Sequence, residues 1–229
     1  MVDLLYRIAT WLLPLMLSLV LSDLVPALVA NLLGDGTAKE RGRLSLNPLV
    51  HVDPLGTVLI PLALIAAGAP VIGWTRPFPL DINRLKNPRL DSVLVGFARP
   101  VTNLLLAALG ATLLGWLPSG MAQGGSGPFG VFISHNLLNL VSINVFLMIF
   151  SLVPIPPFPG AQIVQGLLPP SMAARFEDIQ RYGLLIVVLL FFVLPLLSPQ
   201  LNIFQQVISP LVFGVVRAFL ASAGVTVGA

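Results

Sequence analysis

Long apolar segments dominate the chain, and short polar or proline-rich segments separate them. A helix needs roughly 20 apolar residues to cross the hydrocarbon core of a bilayer. Six segments approach that length, namely residues 8–33, 54–74, 92–117, 131–153, 182–197 and 202–223. The pattern predicts an all-α polytopic membrane protein with about six transmembrane helices, folded as one integral membrane domain over residues 1–229.

The segments between the predicted helices differ in pattern. Residues 39–50 alternate polar and apolar side chains beyond a turn at Arg41-Gly42, which predicts a short β-hairpin at the membrane edge. Residues 118–130 are rich in Gly and Ser and indicate an irregular loop. Residues 153–160 (VPIPPFPG) hold four prolines. They cannot form a helix, and at membrane depth they must be shielded by protein or line a cavity.

The basic residues predict an orientation. Six spans place both termini on one side of the membrane, and that side then holds seven basic residues while the opposite side holds three. The seven are Arg7, Arg76, Arg84, Lys86, Arg89, Arg175 and Arg181, and the three are Lys39, Arg41 and Arg43. Because basic residues concentrate in cytoplasmic loops, this count favours cytoplasmic termini.

Composition supports the membrane assignment and excludes several kinds of chemistry. Hydrophobic residues make up 56% of the 229 residues and charged residues only 9%, against roughly a quarter charged in soluble domains. No cysteine is present, so disulfides, iron–sulfur clusters and thiolate metal sites are excluded. The surplus of three positive charges does not indicate nucleic-acid binding, because the basic residues lie between apolar runs.

Candidate catalytic residues are few. Hydrolytic zinc needs three protein ligands, but the chain has two histidines, His51 and His135. Asp23 is the one acidic residue within the first four predicted spans, so a pair of facing aspartates is not available either. Ser126 stands in the GxSG pattern that rhomboid serine proteases use. It lies in a Gly-rich loop, however, and is interpreted as part of a linker.

Two charged residues inside predicted spans need an explanation. An uncompensated charge near the bilayer centre costs at least a few kcal/mol. One hypothesis pairs Asp23 with Arg99 across the first and third helices. The alternative is that Arg99 extends to the interface and Asp23 is neutral and hydrogen-bonded locally. The fourth span also carries a polar stripe of His135, Asn139 and Ser142, which is interpreted as interhelical hydrogen bonding.

Three segments together resemble the site-2 proteases, a family of intramembrane zinc metalloproteases. They are GRLSLNPLVHVDPLGT (42–57), GWTRPFPLDINRLKNPRLDSVLVGFARPVTNLLLA (73–107) and NVFLMIFSLVPIPPFPG (144–160). The resemblance covers a core of about residues 10–195 and leaves a C-terminal helix at about 202–223. It implies the short form of the fold, located in the bacterial cytoplasmic membrane.

The resemblance also locates the family's metal site in this chain. The family binds zinc through a HExxH sequence, whose glutamate activates water, and through an Asp in an LDG-type turn. The matching residues here are Ser22, Asp23 and Pro26 for the first motif, and Pro159 for the turn. None of the three ligand positions holds a ligand, so no catalytic residue, metal or cofactor is predicted. Asp23, Arg99, Asn103, Asn144 and Ser151 are the candidates for a vacated site or a partner-binding surface.

These observations predict a catalytically inactive homologue. The expected role is that of a structural, assembly or binding subunit of a membrane complex. Its expected partners are transmembrane proteins and the lipid bilayer, and nucleic acid is not expected as a partner. Two alternatives stay open. One is an active intramembrane metalloprotease with atypical ligands. The other is a regulator that sequesters transmembrane substrates.

Overall fold

The described part of the chain is helical. A computed structural model describes residues 2–51, 53, 59, 79–118 and 127–225, and no strand occurs among them. The α-helices are α1 (Val2–Leu32), α2 (Thr37–Glu40), α3 (Pro88–Trp116), α4 (Gly127–Ser151), α5 (Pro159–Leu167), α6 (Pro170–Gln180), α7 (Gly183–Val188), α8 (Leu194–Leu197) and α9 (Ser209–Ser222). A π-helical turn at Leu189–Val193 joins α7 to α8, and a second one at Phe204–Ile208 leads into α9.

Four of the described helical stretches are long and apolar enough to cross a membrane, which supports an integral membrane protein. They are Leu5–Leu32, Pro88–Trp116, Gly127–Ser151 and Phe204–Ser222. The helices Pro170–Gln180 and Gly183–Leu197 meet at a bend of 64° and form a fifth, broken candidate. The predicted count of six is therefore not confirmed. The predicted span at 54–74 lies outside the described residues apart from Leu59.

The predicted β-hairpin at residues 39–50 is wrong. This segment holds the end of α2, a glycine turn and a short 3₁₀ turn at Pro48–Val50. The cause is local hydrogen bonding, because the Asp35 carboxylate accepts from both the backbone N–H and the hydroxyl of Thr37 and so starts a helical turn. The Asn47 side chain accepts from the Leu49 N–H and starts the 3₁₀ turn. Alternating hydrophobicity did not reveal these turns.

Helices α1 and α3 run antiparallel. The Lys86 N–H donates to the Leu33 carbonyl at 3.1 Å, so the end of α1 meets the start of α3. Further along, Ser22 on α1 contacts Asn103 on α3. Residues earlier in α1 therefore lie beside residues later in α3. The Asp35 carboxylate strengthens this junction by accepting from the Asp81 N–H at 2.9 Å.

Helices α1 and α4 run parallel and are joined by polar contacts. The Tyr6 hydroxyl and His135 Nδ1 form a hydrogen bond of 2.8 Å, and Asn139 Nδ2 donates to the Thr10 carbonyl at 2.9 Å. The interpretation of the polar stripe as interhelical hydrogen bonding is confirmed for His135 and Asn139. Ser142 instead donates to a carbonyl of its own helix, that of Leu138.

The contact at Thr10 follows from a proline inside α1. Pro14 has no N–H, so the Thr10 carbonyl four residues earlier loses its helical donor. In a membrane an unpaired carbonyl needs a donor from a neighbouring helix. Asn139 supplies that donor from α4, which explains how α1 continues through Pro14 as one helix.

The apolar core lies between α3, α4 and α9. Its buried members are Ala107, Ala111, Leu114, Val141, Val145 and Leu220. Close approach of the helices depends on Gly110, because a Cβ there would lie 3.1 Å from Val141 Cγ2. Small residues permit such contact between membrane helices, where packing rather than the hydrophobic effect holds them together.

The positions of the helix ends change the count of basic residues on each side of the membrane, from which the orientation was predicted. Ala223, just after α9, packs against Gly115 near the end of α3, so α9 ends where α1 begins. Most described basic residues, however, belong to segments at the other end of the bundle, where α1 ends, α3 begins and α4 ends. The charge count therefore no longer supports cytoplasmic termini, since Arg84, Lys86 and Arg89 share an end with Lys39 and Arg41 rather than with the start of α1.

The Pro14–Asn139 relation predicts a coupled mutant pair. Asn139→Ala should lower the stability of the wild-type protein by about 1 kcal/mol, because it leaves the Thr10 carbonyl without a donor. In a Pro14→Ala background the restored backbone N–H at position 14 bonds to that carbonyl, and Asn139→Ala should cost little. Thermal unfolding in detergent measures both. Asn136→Ala is the matched control, because Asn136 donates to Phe132 within α4. An equal cost of Asn139→Ala in both backgrounds would contradict the prediction.

Candidate buried acid–base site

A carboxylate lies inside the bundle next to a guanidinium. Asp23 on α1 is 1% exposed, and its Oδ1 accepts from Arg99 Nη2 on α3. The hypothesis that the two charges pair across these helices is confirmed. The pair neutralises both charges in a place where either one alone would be costly.

A histidine from the loop after α1 faces the second oxygen of the Asp23 carboxylate. His51 is 3% exposed, and its Nδ1 lies 3.5 Å from Asp23 Oδ2. Its Nε2 donates to the Ser45 carbonyl at 2.8 Å. Because a carbonyl only accepts, Nε2 carries a hydrogen and Nδ1 is the atom turned toward the carboxylate. The contact of His51 with Asp23 was not predicted from the sequence.

Asp23 is the main reason that the pKa of His51 is raised above its ordinary value. Burial of the imidazole lowers the pKa, while the hydrogen bond to the Ser45 carbonyl adds to the increase. The loop that carries His51 is itself fixed, because the Arg43 guanidinium donates to the Val50 carbonyl next to His51.

The same loop begins at a second buried carboxylate. Burial tends to raise the pKa of Asp35, but the hydrogen bonds from Thr37 and from the Asp81 N–H outweigh it, so that the pKa is lowered. The Arg84 guanidinium contributes in the same direction. Asp35 therefore acts as an anionic anchor between the end of α1 and the segment before α3.

Two amide and hydroxyl side chains extend the site along α1 and α3. The Ser22 hydroxyl donates to Asn103 Oδ1, and both residues are buried. Arg99 and Asn103 are four residues apart and therefore share one face of α3. The structure thus brings together four residues that sequence analysis singled out, namely Ser22, Asp23, Arg99 and Asn103.

Buried polar atoms without partners concentrate at this site. Among the described residues, Asp23 Oδ2, Arg99 Nε and Asn103 Nδ2 are buried and make no hydrogen bond. Such groups are rare in folded proteins and indicate bound water or a ligand. One of the three atoms is an acceptor and two are donors, so the site can both accept a hydrogen bond from a small polar group and donate hydrogen bonds to it.

The two remaining positions of the family's metal motifs hold prolines. Pro26 is fully buried on α1, one turn after Ser22, and Pro159 opens α5. The Pro159 carbonyl approaches Gly96, one turn before Arg99. At the following residue, Gly160, an added Cβ would collide with the carbonyl oxygens of Leu152 and Val153, so this turn admits only glycine without rearrangement.

Asn144 and Ser151 lie away from the carboxylate. Asn144 Nδ2 donates to the Ser18 hydroxyl at 2.7 Å and to the Leu140 carbonyl, and its buried Oδ1 has no partner among the described residues. Ser18 is one turn before Ser22, so Asn144 continues the polar line on α1. Ser151 donates to the Met148 carbonyl in its own helix. Ser126 lies outside the described residues.

A cavity of about 290 Å³ lies elsewhere, between α3 and α9. Its lining includes Ala108, Thr112, Gly115, Phe219 and Ser222 and contains no titratable side chain. It therefore offers packing space rather than groups for acid–base chemistry.

The described geometry defines a helical membrane protein with a buried acid–base site. Over 193 residues the chain is 40% identical to "Putative zinc metalloprotease YwhC" of Bacillus subtilis, covering 82% of this chain and 84% of that protein. Over 221 residues it is 31% identical to "Putative zinc metalloprotease Rip2" of Mycolicibacterium smegmatis, covering 95% of this chain and 77% of that protein. No protein-family model and no solved structure matches the chain.

The chain belongs to the family of these zinc metalloproteases, in agreement with its resemblance to site-2 proteases. The prediction of an inactive structural or assembly subunit is contradicted, because both relatives are named as proteases. The alternative of an active protease agrees better with them. Substitutions at Ser22, Pro26 and Pro159 led to the prediction of inactivity, but they do not by themselves establish it.

A zinc ion does not fit the described residues as a three-ligand site. No three His, Asp or Glu side chains come together in the described part of the chain, whereas hydrolytic zinc takes three protein ligands and a water. The Asp23 carboxylate already has the Arg99 guanidinium on one oxygen and faces His51 with the other. No catalytic step is therefore assigned to zinc.

Loss of the guanidinium should destabilise the protein strongly. Arg99→Gln leaves the Asp23 carboxylate buried without a full counter-charge, so we expect a loss of about 3 kcal/mol. Adding Asp23→Asn should restore part of that loss, because both charges are then absent. Thermal unfolding in detergent measures each variant. A double variant less stable than Arg99→Gln alone would contradict the prediction, because the two side chains would then stabilise the protein by something other than their ion pair.

The His51 contact predicts a pH dependence at neutral to alkaline pH. The pKa of His51 is raised in the folded protein, so its stabilisation is complete below about pH 6.5 and is lost as the pH rises through the raised pKa. The melting temperature of the wild-type protein should therefore fall as the pH rises above about 6.5, and His51→Gln should flatten this fall. Asn136→Ala, a control at a side chain that does not titrate, should leave it unchanged. Equal slopes in wild type and His51→Gln would contradict the prediction.

Proposed function

We propose that this chain is an intramembrane protease that hydrolyses a peptide bond of a membrane-embedded polypeptide at the Asp23–His51 pair. The observation that carries the proposal is the buried carboxylate facing an imidazole at 3.5 Å, in a chain that belongs to a protease family. The partner is then a transmembrane polypeptide, bound as substrate. The bacterial relatives favour the cytoplasmic membrane as its location.

Asp23 and His51 supply the base that activates water. Asp23 Oδ2 has no hydrogen-bond partner among the described residues and can accept from a water molecule. His51 Nδ1 faces the same position, because its Nε2 is held by the Ser45 carbonyl. The water oxygen attacks the carbonyl carbon of the peptide bond, and its proton passes to the Asp23–His51 pair. The pair returns a proton to the amide nitrogen when the C–N bond breaks.

Arg99 and Asn103 supply donors for the carbonyl oxygen. Their buried Nε and Nδ2 atoms have no partners among the described residues and lie on one face of α3. Donors fixed in a dry site stabilise the negative charge that develops on the oxygen during attack, and one such donor contributes about 10²- to 10³-fold in rate. The Nε–H of Arg99 is thus an available donor beside Asp23, which stands at a position of the family's first metal motif.

The test uses the purified full-length chain, incubated with bacterial membranes. Mass spectrometry of labelled N-termini identifies peptide bonds cleaved within transmembrane segments. We expect new N-termini with the wild-type protein and none with Asp23→Asn. Asn103→Ala should lower the rate about 100-fold. Asp178→Asn, which removes a surface carboxylate paired with Arg181, should leave cleavage unchanged.

Two further results separate the alternatives. Cleavage should persist in a zinc chelator, because no step is assigned to the metal, and cleavage that the chelator abolishes would overturn the assignment to Asp23 and His51. Equal amounts of product from wild type and Asp23→Asn would overturn the protease itself. If a transmembrane peptide then remains bound and uncut, the result supports a regulator that sequesters substrates.

A further inference from the structure

Two asparagine side chains inside the bundle each have one polar atom without a partner. Asn103 on α3 and Asn144 on α4 are both fully buried. Asn103 Nδ2 and Asn144 Oδ1 make no hydrogen bond to any residue that the structure describes. The first atom is a donor and the second is an acceptor, so the two atoms are complementary. They do not bond to each other, and the distance between them is therefore longer than a hydrogen bond.

Helix α1 holds the two amide groups at neighbouring positions. The Ser22 hydroxyl donates to Asn103 Oδ1, and Asn144 Nδ2 donates to the Ser18 hydroxyl oxygen at 2.7 Å. Ser18 and Ser22 are four residues apart on α1. Side chains at this spacing are neighbours on one helix face, with about 5–6 Å between their Cβ atoms. The two amide groups are therefore about one helical turn apart along α1.

The packing of α3 against α4 gives the same separation. These helices run antiparallel, because α1 is antiparallel to α3 and parallel to α4, and Gly110 on α3 packs against Val141 on α4. Asn103 lies seven residues before Gly110, and Asn144 lies three residues after Val141. Both positions are displaced in the same direction from that contact. The difference of four residues corresponds to about 6 Å along the helix axes.

We propose that one buried water molecule bridges Asn103 on α3 and Asn144 on α4. The water accepts from Asn103 Nδ2 and donates to Asn144 Oδ1, because two hydrogen bonds of about 2.8 Å each match the separation that the helices set. The Ser22 hydroxyl oxygen lies beside Asn103 and is an acceptor for the second hydrogen of the water. Buried waters make about three such bonds to polar groups that the protein otherwise leaves unpaired.

Full burial selects water over a larger ligand. Each amide presents one free atom, and water is the smallest molecule that accepts one hydrogen bond and donates another. The bridge joins α3 to α4 at the level of Ser22, the first position of the family's metal motif. In the proposed hydrolysis the carbonyl oxygen of the substrate displaces this water from Asn103 Nδ2. The water site itself does not depend on hydrolysis.

A crystal structure of the purified full chain, at a resolution that shows ordered waters elsewhere in the bundle, tests the position of the water. We expect a density peak at about 2.7–3.2 Å from both Asn103 Nδ2 and Asn144 Oδ1. The peak should be absent in the Asn144→Leu variant. If other buried waters are visible and this peak is missing from the wild type, or if the two amides bond directly, the proposal is overturned.

Thermal unfolding of the full chain in detergent tests whether the two amides act together. Asn103→Leu and Asn144→Leu should each lower the melting temperature, because each leaves the opposite amide without its bridge. The double variant should lose several degrees less than the sum of the two single losses, since the second substitution removes a group that is already unsatisfied.

The matched control pairs Asn103→Leu with Asn136→Leu. Asn136 lies about 12 Å along α4 from Asn144, beyond the range at which substitutions usually couple, so these two losses should add. Additive losses in both pairs would overturn the water bridge.

Discussion

A carboxylate inside an apolar helix bundle must be neutralised by its neighbours, and this requirement determines how α1, α3 and the following loop meet. Asp23 is at the centre, with the Arg99 guanidinium on one oxygen and His51 facing the other. Arg99 orients one face of α3 toward α1, and the same face presents Asn103 to Ser22. His51 in turn brings the loop that follows α1 back against the helix at Asp23. Asp23 therefore links the packing of α1 against α3, the position of the loop and the chemistry of the site.

The metalloprotease relatives and the residues of the site must be reconciled. The relatives establish the scaffold and its family, while the described residues offer one carboxylate and one imidazole where three ligands are expected. A guanidinium beside that carboxylate supplies positive charge, as a metal ion does, but through hydrogen-bond donors fixed to a helix. The proposed hydrolysis draws on both groups, with Asp23 as the base for water and Arg99 as a donor to the carbonyl oxygen.

Part of this arrangement could be predicted from the sequence. Two charges within apolar segments required partners, so Asp23 and Arg99 could be paired, and the family resemblance located Ser22 and Asn103. The contribution of His51 could not be predicted, because its approach to Asp23 depends on the loop path that Arg43 and Ser45 fix. The hairpin prediction failed for a similar reason: the turns at Asp35 and Asn47 arise from side-chain hydrogen bonds that hydrophobic periodicity does not report.

Pro14 has a consequence for how the protein is assembled. A chain that enters the bilayer from its N-terminus delivers α1 before α4, so the Thr10 carbonyl first meets lipid without a donor. The amide of Asn139 is the group that later satisfies it. Docking of α4 therefore supplies the hydrogen-bond donor that Pro14 removes from α1, so the two helices are joined at the point where α1 lacks a backbone hydrogen bond.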